Sequence, residues 1–477
     1  MKKKVSRPTP RSLLLICGAV TMAAGCSLTP KTALPSPPIP SAWADGSSEA
    51  RLTVLVGWRE YFADPALQST ISAALENNRD LRIALLRVEE ARAAYRVQRA
   101  DRFPAIGAQV SGARGETPAD LSLSGQSATS NQYSANINLS WELDFWGRVR
   151  SLEAGALERY LATEAAGQAV EISLISTVVE TWLQLRELDE RILLADQTLA
   201  TRREAARIAR RRYEVGAASR FDMIQAETLL TQAEGEKIAL AQAREQTANA
   251  LALLTGTAAQ PSPLPLSSVA QALSADPPPG LSSELLESRP DIRAAEHMLR
   301  SANADIGVAR AAFFPRITLT GLYGSASTDL ERLFDGDNRQ WTFAGAATAP
   351  LFDGGRRSAG LSTARVRRDI AAADYERTIQ SAFRDVADAL SARRNLAELV
   401  AVQERTLAAL SERSRLANLR YSNGAAAYIE VLDAERDRFA AEQALVSARR
   451  SLLSSRVALY AALGGGALPD SSNRQTQ

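Results

Sequence analysis

YSANINLSWELDF, residues 133–145, alternates without a break between apolar positions (Tyr133, Ala135, Ile137, Leu139, Trp141, Leu143, Phe145) and polar ones (Ser134, Asn136, Asn138, Ser140, Glu142, Asp144). Successive side chains of a strand point to opposite faces, so this spacing predicts a β-strand with water on one side and an apolar medium on the other. IGAQVSGA at 106–113 offers an antiparallel partner, and PRITLTGLYG at 315–324 and WTFAGAATAPLF at 341–352 offer two more strands. Each approaches the roughly 9–11 residues that a tilted strand needs to cross a bilayer. Aromatic residues, among them Phe103, Tyr133, Phe145, Phe314, Tyr323 and Phe352, fall near the strand ends, where membrane barrels carry their interfacial belts. A soluble sheet with one face in a core alternates in the same way, so the pattern alone leaves both readings open. In lipid, four strands per chain neither close a barrel nor leave a tolerable edge, so the barrel has to be shared between subunits.

The strand pattern occurs twice because the chain is two copies of one unit. DLRIALLRVEEARAAYRVQRADRFPAI at 80–106 matches DIRAAEHMLRSANADIGVARAAFFPRI at 291–317, pairing Asp80 with Asp291 and Phe103-Pro104 with Phe314-Pro315 at a shift of 211 residues. RYEVGAASRFDMIQAE at 212–227 matches RYSNGAAAYIEVLDAE at 420–435 at a shift of 208. Chance similarity would not preserve the length between two separated segments, so a whole unit was duplicated. The repeats occupy 61–255 and 284–464, each a helix, a β-hairpin (104–145 and 315–352) and two long helices. Residues 26–60 and 256–283 read as proline-rich linkers and 465–477 as a disordered tail.

From Leu361 to Asn423 there is no glycine or proline. That stretch makes roughly 95 Å of helix, far beyond a bilayer, and must project into water. Ile379, Phe383, Val386 and Leu390, like Ile175, Val178, Trp182 and Leu185, recur at intervals of three and four as coiled-coil seams do. Each long helix ends at Arg-Tyr followed by Gly216 or Gly424, the residue type that stops a helix in the left-handed conformation, and the chain turns back there. Ser219 and Asp222 have capping-box spacing for the returning helix; Ala427 and Glu430 replace them in repeat two and predict a poorer cap.

The N-terminus assigns a compartment. Lys2, Lys3, Lys4, Arg7 and Arg11 precede an apolar stretch from Leu13 to Ala24, so residues 1–25 read as a secretory signal. Ala23-Ala24-Gly25-Cys26 is similar to the bacterial lipobox, although the position three before the cysteine is usually leucine and here is Ala23. Cys26 is therefore the candidate lipidation site, with an ordinary signal peptide as the alternative, and Ser27 after it resembles an outer-membrane export signal. No apolar run of about 18 residues follows, so any spanning falls to strands.

Composition excludes other classes. With 56 Lys and Arg against 54 Asp and Glu, the net charge is +2 without a long basic block, and no nucleic-acid partner is called for. Cys17 lies inside the signal, so the mature chain holds one thiol. His297 is the only histidine and aligns with Leu86 of repeat one, which favours packing over chemistry. No catalytic residue, cofactor or metal site is expected, and the carboxylates lie scattered along helices. The glycines of PLFDGGRR at 350–357 match neither the P-loop nor the dinucleotide fingerprint; they are expected to turn a strand into a helix.

Taken together, these residues resemble the outer-membrane efflux factor family, the TolC-type channels, in its lipoprotein branch serving resistance-nodulation-division pumps. The resemblance covers about residues 55–465 and is carried by ENNRDLRIA at 76–84, LDFWGRVR at 143–150, SRPDIRAAE at 288–296, FFPRITLTGLYG at 313–324, PLFDGGRR and RYSNGAAAYIEVLDAER at 420–436. It implies a mostly α fold with a small transmembrane β part: a homotrimer sharing a twelve-stranded barrel, continued by a long α-helical coiled-coil tunnel into the periplasm. It implies an outer-membrane efflux channel, lipid-anchored at Cys26, that passively conducts small toxic molecules. Its partners would be outer-membrane lipid, a periplasmic adaptor protein and an inner-membrane resistance-nodulation-division transporter. The matching tip residues Tyr421, Ile429, Asp433 and Arg436 would form a periplasmic gate beside the turns at Gly216 and Gly424. Asp433 and Arg436 share a helix face, and three Asp433 carboxylates about an axis would favour cations. Repeat one has Gln225 at the position of Asp433, so the two tips differ electrically. The rival readings are a pore-less structural lipoprotein spacer and a polypeptide-secretion duct.

Overall fold

The computed structural model describes residues 28–31, 34–35, 39–40, 57–122, 125–257, 262–269 and 288–465. Cys26, the 1–25 signal, most of both linkers and the tail after 465 lie outside them. Helices α1 (Trp58–Tyr61), α2 (Pro65–Asn77) and α3 (Arg79–Ala100) lead into strands β1 (Ala105–Thr117) and β2 (Ala128–Leu143), then α4 (Arg148–Glu214) and α5 (Arg220–Thr255). After the single turn α6 (Leu266–Val269), the second repeat gives α7 (Pro290–Ala311), β3 (Arg316–Ser327), β4 (Arg339–Thr348), α8 (Arg356–Ser422) and α9 (Tyr428–Ala462). Two compact units divide these elements. One holds Arg87–Glu164 and Ala294–Tyr375; the other holds Ala165–Arg293 and Glu376–Gln477, with the segment ending at Leu86.

The first unit is built on an antiparallel sheet in the order β1-β2-β3-β4. Its register puts the apolar residues at the centre of the quoted strand opposite others of their kind: Ile137 faces Ala108 and Tyr323, Leu139 faces Ile106, Trp141 faces Leu319, and Tyr323 faces Trp341. The opposite face collects Gln109, Asn136, Asn138, Ser140 and Thr320. Ile106, Val110, Tyr323, Trp341 and Phe343 are each 60–79% exposed, so no core covers the apolar face. In water such a face would drive aggregation, which leaves lipid as its solvent and removes the soluble-sheet reading. β1 and β4 form the two edges. β4 starts two residues before the expected Trp341 and stops at Thr348 rather than Phe352, because Pro350 has no N–H for a ladder.

β2 and β4 each turn into a long helix through an acid and a glycine. Asp144 accepts from the backbone N–H groups of Val149 (3.1 Å) and Arg150 (2.9 Å), and Gly147 supplies a positive φ of 72°. Asp353 accepts from the N–H groups of Gly355 and Arg357 at 3.1 Å, so PLFDGGRR is the turn that the sequence suggested. Small residues let α7 lie close against α4: the Ser301 hydroxyl donates to the Gly155 carbonyl at 3.1 Å, and Arg159 pairs with Asp305 at 3.0 Å. His297, expected as a packing residue, sits in the same seam, with Nδ1 2.7 Å from a Glu158 oxygen.

In the second unit α4 supplies the core. Ile175, Val178, Trp182 and Leu185, the seam read from the sequence, are all at most 1% exposed and pack with Phe62, Leu67, Ile71 and Tyr460. In α8, Ile379 and Val386 are buried as expected, while Phe383 and Leu390 are half-buried and Ala382 and Ala389 take the inner positions. Both α4 and α8 contain 67 residues, roughly 100 Å of helix each. Among the described residues no helix is long and apolar enough to cross a membrane.

The long helices stop as the glycines require. Gly216 and Gly424 both have φ of 72°, and the N–H groups of Ala217 and Ala425 reach back to the carbonyls of Arg212 (2.7 Å) and Arg420 (2.8 Å). This is the Schellman arrangement, which satisfies carbonyls that the helix end leaves free. Ser219 and Asp222 form a complete capping box on α5, whereas Ala427 gives α9 no side-chain cap. Replacing Ser219 by alanine should weaken the first turn of α5 by about 1 kcal/mol, and Ala427→Ser, which completes a box with Glu430, should strengthen that of α9 by a similar amount. Amide hydrogen exchange at residues 219–223 and 427–431 should move in opposite directions in the two variants.

Candidate functional site

The two returning hairpins bring the candidate gate residues to one end of the second unit. Alanines prepare the site by letting helices approach: Ala206, Ala209 and Ala226 form one small cluster, and Ala417, Val431 and Ala434 another. Tyr428 packs against both, so this one ring joins the hairpins. It lies 5.0 Å from the Tyr421 ring. The Arg212 guanidinium stands over the Tyr421 ring at 5.7 Å and donates a hydrogen bond to the Tyr421 hydroxyl. Arg212 ends the first long helix and Tyr421 the second, so this contact ties repeat one to repeat two.

Between the hairpins lies a cavity of about 480 Å³, lined by Arg202, Arg212, Asp222, Tyr421, Tyr428 and Glu435 among others. Arg202 is only 7% exposed; burial pushes its guanidinium down from the usual arginine value, against the pull of Glu435. Burial also raises the Tyr428 hydroxyl. For Glu435 burial acts upward too, but hydrogen bonds from Ser414, Arg438 (2.9 Å) and Asn418 (3.1 Å) outweigh it and hold the carboxyl below the usual glutamate range. The cavity therefore sets a few partnered charged groups among apolar walls such as Ile208, Val431 and Leu432.

Asp433 and Arg436 stand outside that cavity. They meet at 3.5 Å as an i,i+3 pair, with side chains 43% and 62% exposed. Arg436 also approaches Asp437 at 3.3 Å, and Asp437 is held by Arg413 at 2.7 Å. An exposed pair of this kind contributes about 0.3–0.5 kcal/mol within one chain. Ile429 is 40% exposed. Of the four candidates, then, Tyr421 belongs to the contact between hairpins, Asp433 and Arg436 to an open charged surface, and Ile429 to the exposed tip.

Arg202, Arg212, Tyr428 and Glu435 escaped the sequence reading. Repeat alignment does flag Tyr428, which stands where repeat one has Arg220. No spacing rule flags Arg212, whose partner is 209 residues away. Among the described residues no group of three His, Cys, Asp or Glu side chains is placed to hold a metal ion.

Comparison with known proteins fits this arrangement. A family model described as outer membrane efflux protein matches residues 70–257 and 281–465, one match in each repeat. The solvent efflux pump outer membrane protein SrpC of Pseudomonas putida is 42% identical over 456 residues, covering 94% of this chain and 97% of that protein. The outer membrane protein OprJ of Pseudomonas aeruginosa is 41% identical over 463 residues, 95% of each. Among solved structures, a membrane protein from Pseudomonas aeruginosa superposes with a TM-score of 0.86 at 40% identity over 92% of this chain and all of that one. The open state of the Neisseria gonorrhoeae MtrE outer membrane channel gives 0.83 at 37% identity, over 92% and 98%.

Glu435 sets a pH dependence. A carboxyl whose folded pKa lies below its unfolded value stabilises the tip above the unfolded pKa of about 4.3, and that contribution is lost as pH falls through the folded pKa. Limited proteolysis between residues 410 and 440 should accelerate below about pH 4 in the wild type. Glu435→Gln should remove the pH-dependent part and cleave faster already at pH 7.

Proposed function

The chain belongs to the outer membrane efflux protein family, and from that membership we propose how its duct is anchored, partnered and gated. It is an outer-membrane efflux channel of a tripartite pump. Three copies of its four-stranded sheet make one twelve-stranded barrel, and the long helices continue the barrel as a tunnel into the periplasm. The observation that carries this is the register: a sheet with one apolar and one polar face, two open edges and no cover. Lipid forbids open edges, so neighbouring copies pair β4 with β1.

Anchoring belongs to Cys26, acylated after removal of residues 1–25, which fixes the chain to the outer membrane's inner leaflet. A periplasmic adaptor and an inner-membrane resistance-nodulation-division transporter engage the hairpin tips, and the transporter supplies the energy. The chain is a passive duct without catalytic activity. Its cargo is small toxic molecules of the kind for which its relatives are named: solvent, toluene and antibiotic efflux proteins share 42% identity with it. Asp433 and Arg436 close the tip. The pair is weak in one chain, but three Asp433 carboxylates about one axis resist joint ionisation and repel anions, and Arg436 binds them across helices.

Planar-bilayer recording of the purified mature protein tests the duct and the gate. The wild type should give small currents, and Asp433→Ala with Arg436→Ala should raise them severalfold. Currents unchanged by the double substitution would move the gate elsewhere, and no current despite insertion would favour the pore-less spacer. Labelling with radioactive palmitate should mark the wild type and leave Cys26→Ser unmarked.

A further inference from the structure

The polar face of the sheet is almost free of charge along its length, with Gln109, Asn136, Asn138, Ser140, Thr320 and Thr342 in register. Charge enters this face only at its helix-side end. There Glu142 stands opposite Thr318, and Arg316 precedes Thr318 by two residues on the same face. Arg148, the first residue of α4, donates Nε and Nη2 to the two Glu142 oxygens at 2.7 Å each. Arg316 donates Nε to Oε2 of the same carboxylate at 2.6 Å. One carboxylate thus serves two guanidiniums, and one positive charge is in excess.

The surrounding groups do not cancel that excess. Asp144 is taken up by Arg150 and by the cap of α4. Asp101 accepts from Gln98 at 2.7 Å and acts on Arg148, while Arg99 and Arg102 share the single carboxylate of Glu153 at 3.9 and 3.1 Å and bring a further positive charge. Arg148 is matched bidentately and is half-buried, whereas the Arg316 side chain is 60% exposed, so the excess charge faces water. Its backbone is fixed: Trp146 stacks on Phe314 at 4.7 Å and donates its indole N–H to the Pro315 carbonyl at 2.8 Å.

We propose, on the reading of this sheet as one third of a barrel, that three copies of Arg316 line the helix-side mouth of the barrel lumen as a positive ring that makes this part of the duct favour anionic solutes. Distance and screening decide whether such a ring acts on passing ions. Twelve strands about 4.8 Å apart and tilted about 40° give a backbone radius of about 12 Å, and an arginine reaches inward by about half of that. The Debye length is about 10 Å at 0.1 M salt and about 3 Å at 1 M. The ring's field therefore reaches the axis in dilute salt and is lost in concentrated salt.

Reversal potentials of mature trimers in planar bilayers, measured across a potassium chloride gradient near 0.1 M, test the ring. Arg316→Gln should lower the chloride-over-potassium permeability ratio about threefold against wild type, with most of the difference gone near 1 M. Arg316→Lys should keep the wild-type ratio. Arg339→Gln removes the same charge from the apolar-face register, opposite Ser325, and should leave the ratio unchanged. Arg316→Cys gives a second handle: a cationic thiol reagent should restore the preference and an anionic one should reverse it. Conducting trimers with an unaltered ratio in Arg316→Gln, or an equal shift in Arg339→Gln, would overturn the ring and leave the channel standing. Inserted wild-type protein without current would overturn the barrel and the ring with it.

Discussion

A peptide group in hydrocarbon has no water to turn to, and each unpaired N–H or C=O left there costs several kcal/mol. β1 and β4 each present a row of such groups at the edges of the sheet. One chain alone cannot satisfy them, so the subunit is incomplete until its neighbours supply strands. The rest of the architecture is consistent with that demand. Strand length suits a bilayer, one face is apolar through its middle, and β2 and β4 leave the sheet through acid-capped, glycine-containing turns that start a helix at once.

The two repeats share this plan and then diverge at their tips. The first tip is well capped by Ser219 and Asp222, and its counterpart begins at the uncapped Ala427. The second tip carries Tyr421, Tyr428, Asp433 and Arg436, and Arg212 of the first repeat reaches over to hold Tyr421. A fully capped helix start thus stands beside one without a side-chain cap. Duplication supplied two like scaffolds, and substitution at their tips made them unequal.

What could be read in advance depended on periodicity. The strand alternation, the seam of Ile175, Val178, Trp182 and Leu185, the stops at Gly216 and Gly424 and the capping box at Ser219 are local patterns, and the structure places each as its spacing suggests. β4 was misjudged by a few residues because alternation continues past the point where Pro350 ends the ladder. The pairs Arg212 with Tyr421, His297 with Glu158 and Arg316 with Glu142 were invisible for a different reason. Each joins residues more than a hundred positions apart, and such pairs leave no spacing for a single sequence to display. Of the tip, the sequence showed which residues stand there and not which of them touch.

The equality of α4 and α8, each 67 residues, has an evolutionary consequence. A helix that gains or loses one residue rotates everything beyond it by about 100°, turning its buried seam outward, and it also ends about 1.5 Å out of step with its twin. Single insertions and deletions in either helix are therefore penalised twice. Length changes that preserve the seams come in blocks of about seven or eleven residues, made in both repeats together and matched in the returning helices. Such coordinated events are rare, so the reach of this duct drifts far more slowly than its surface chemistry.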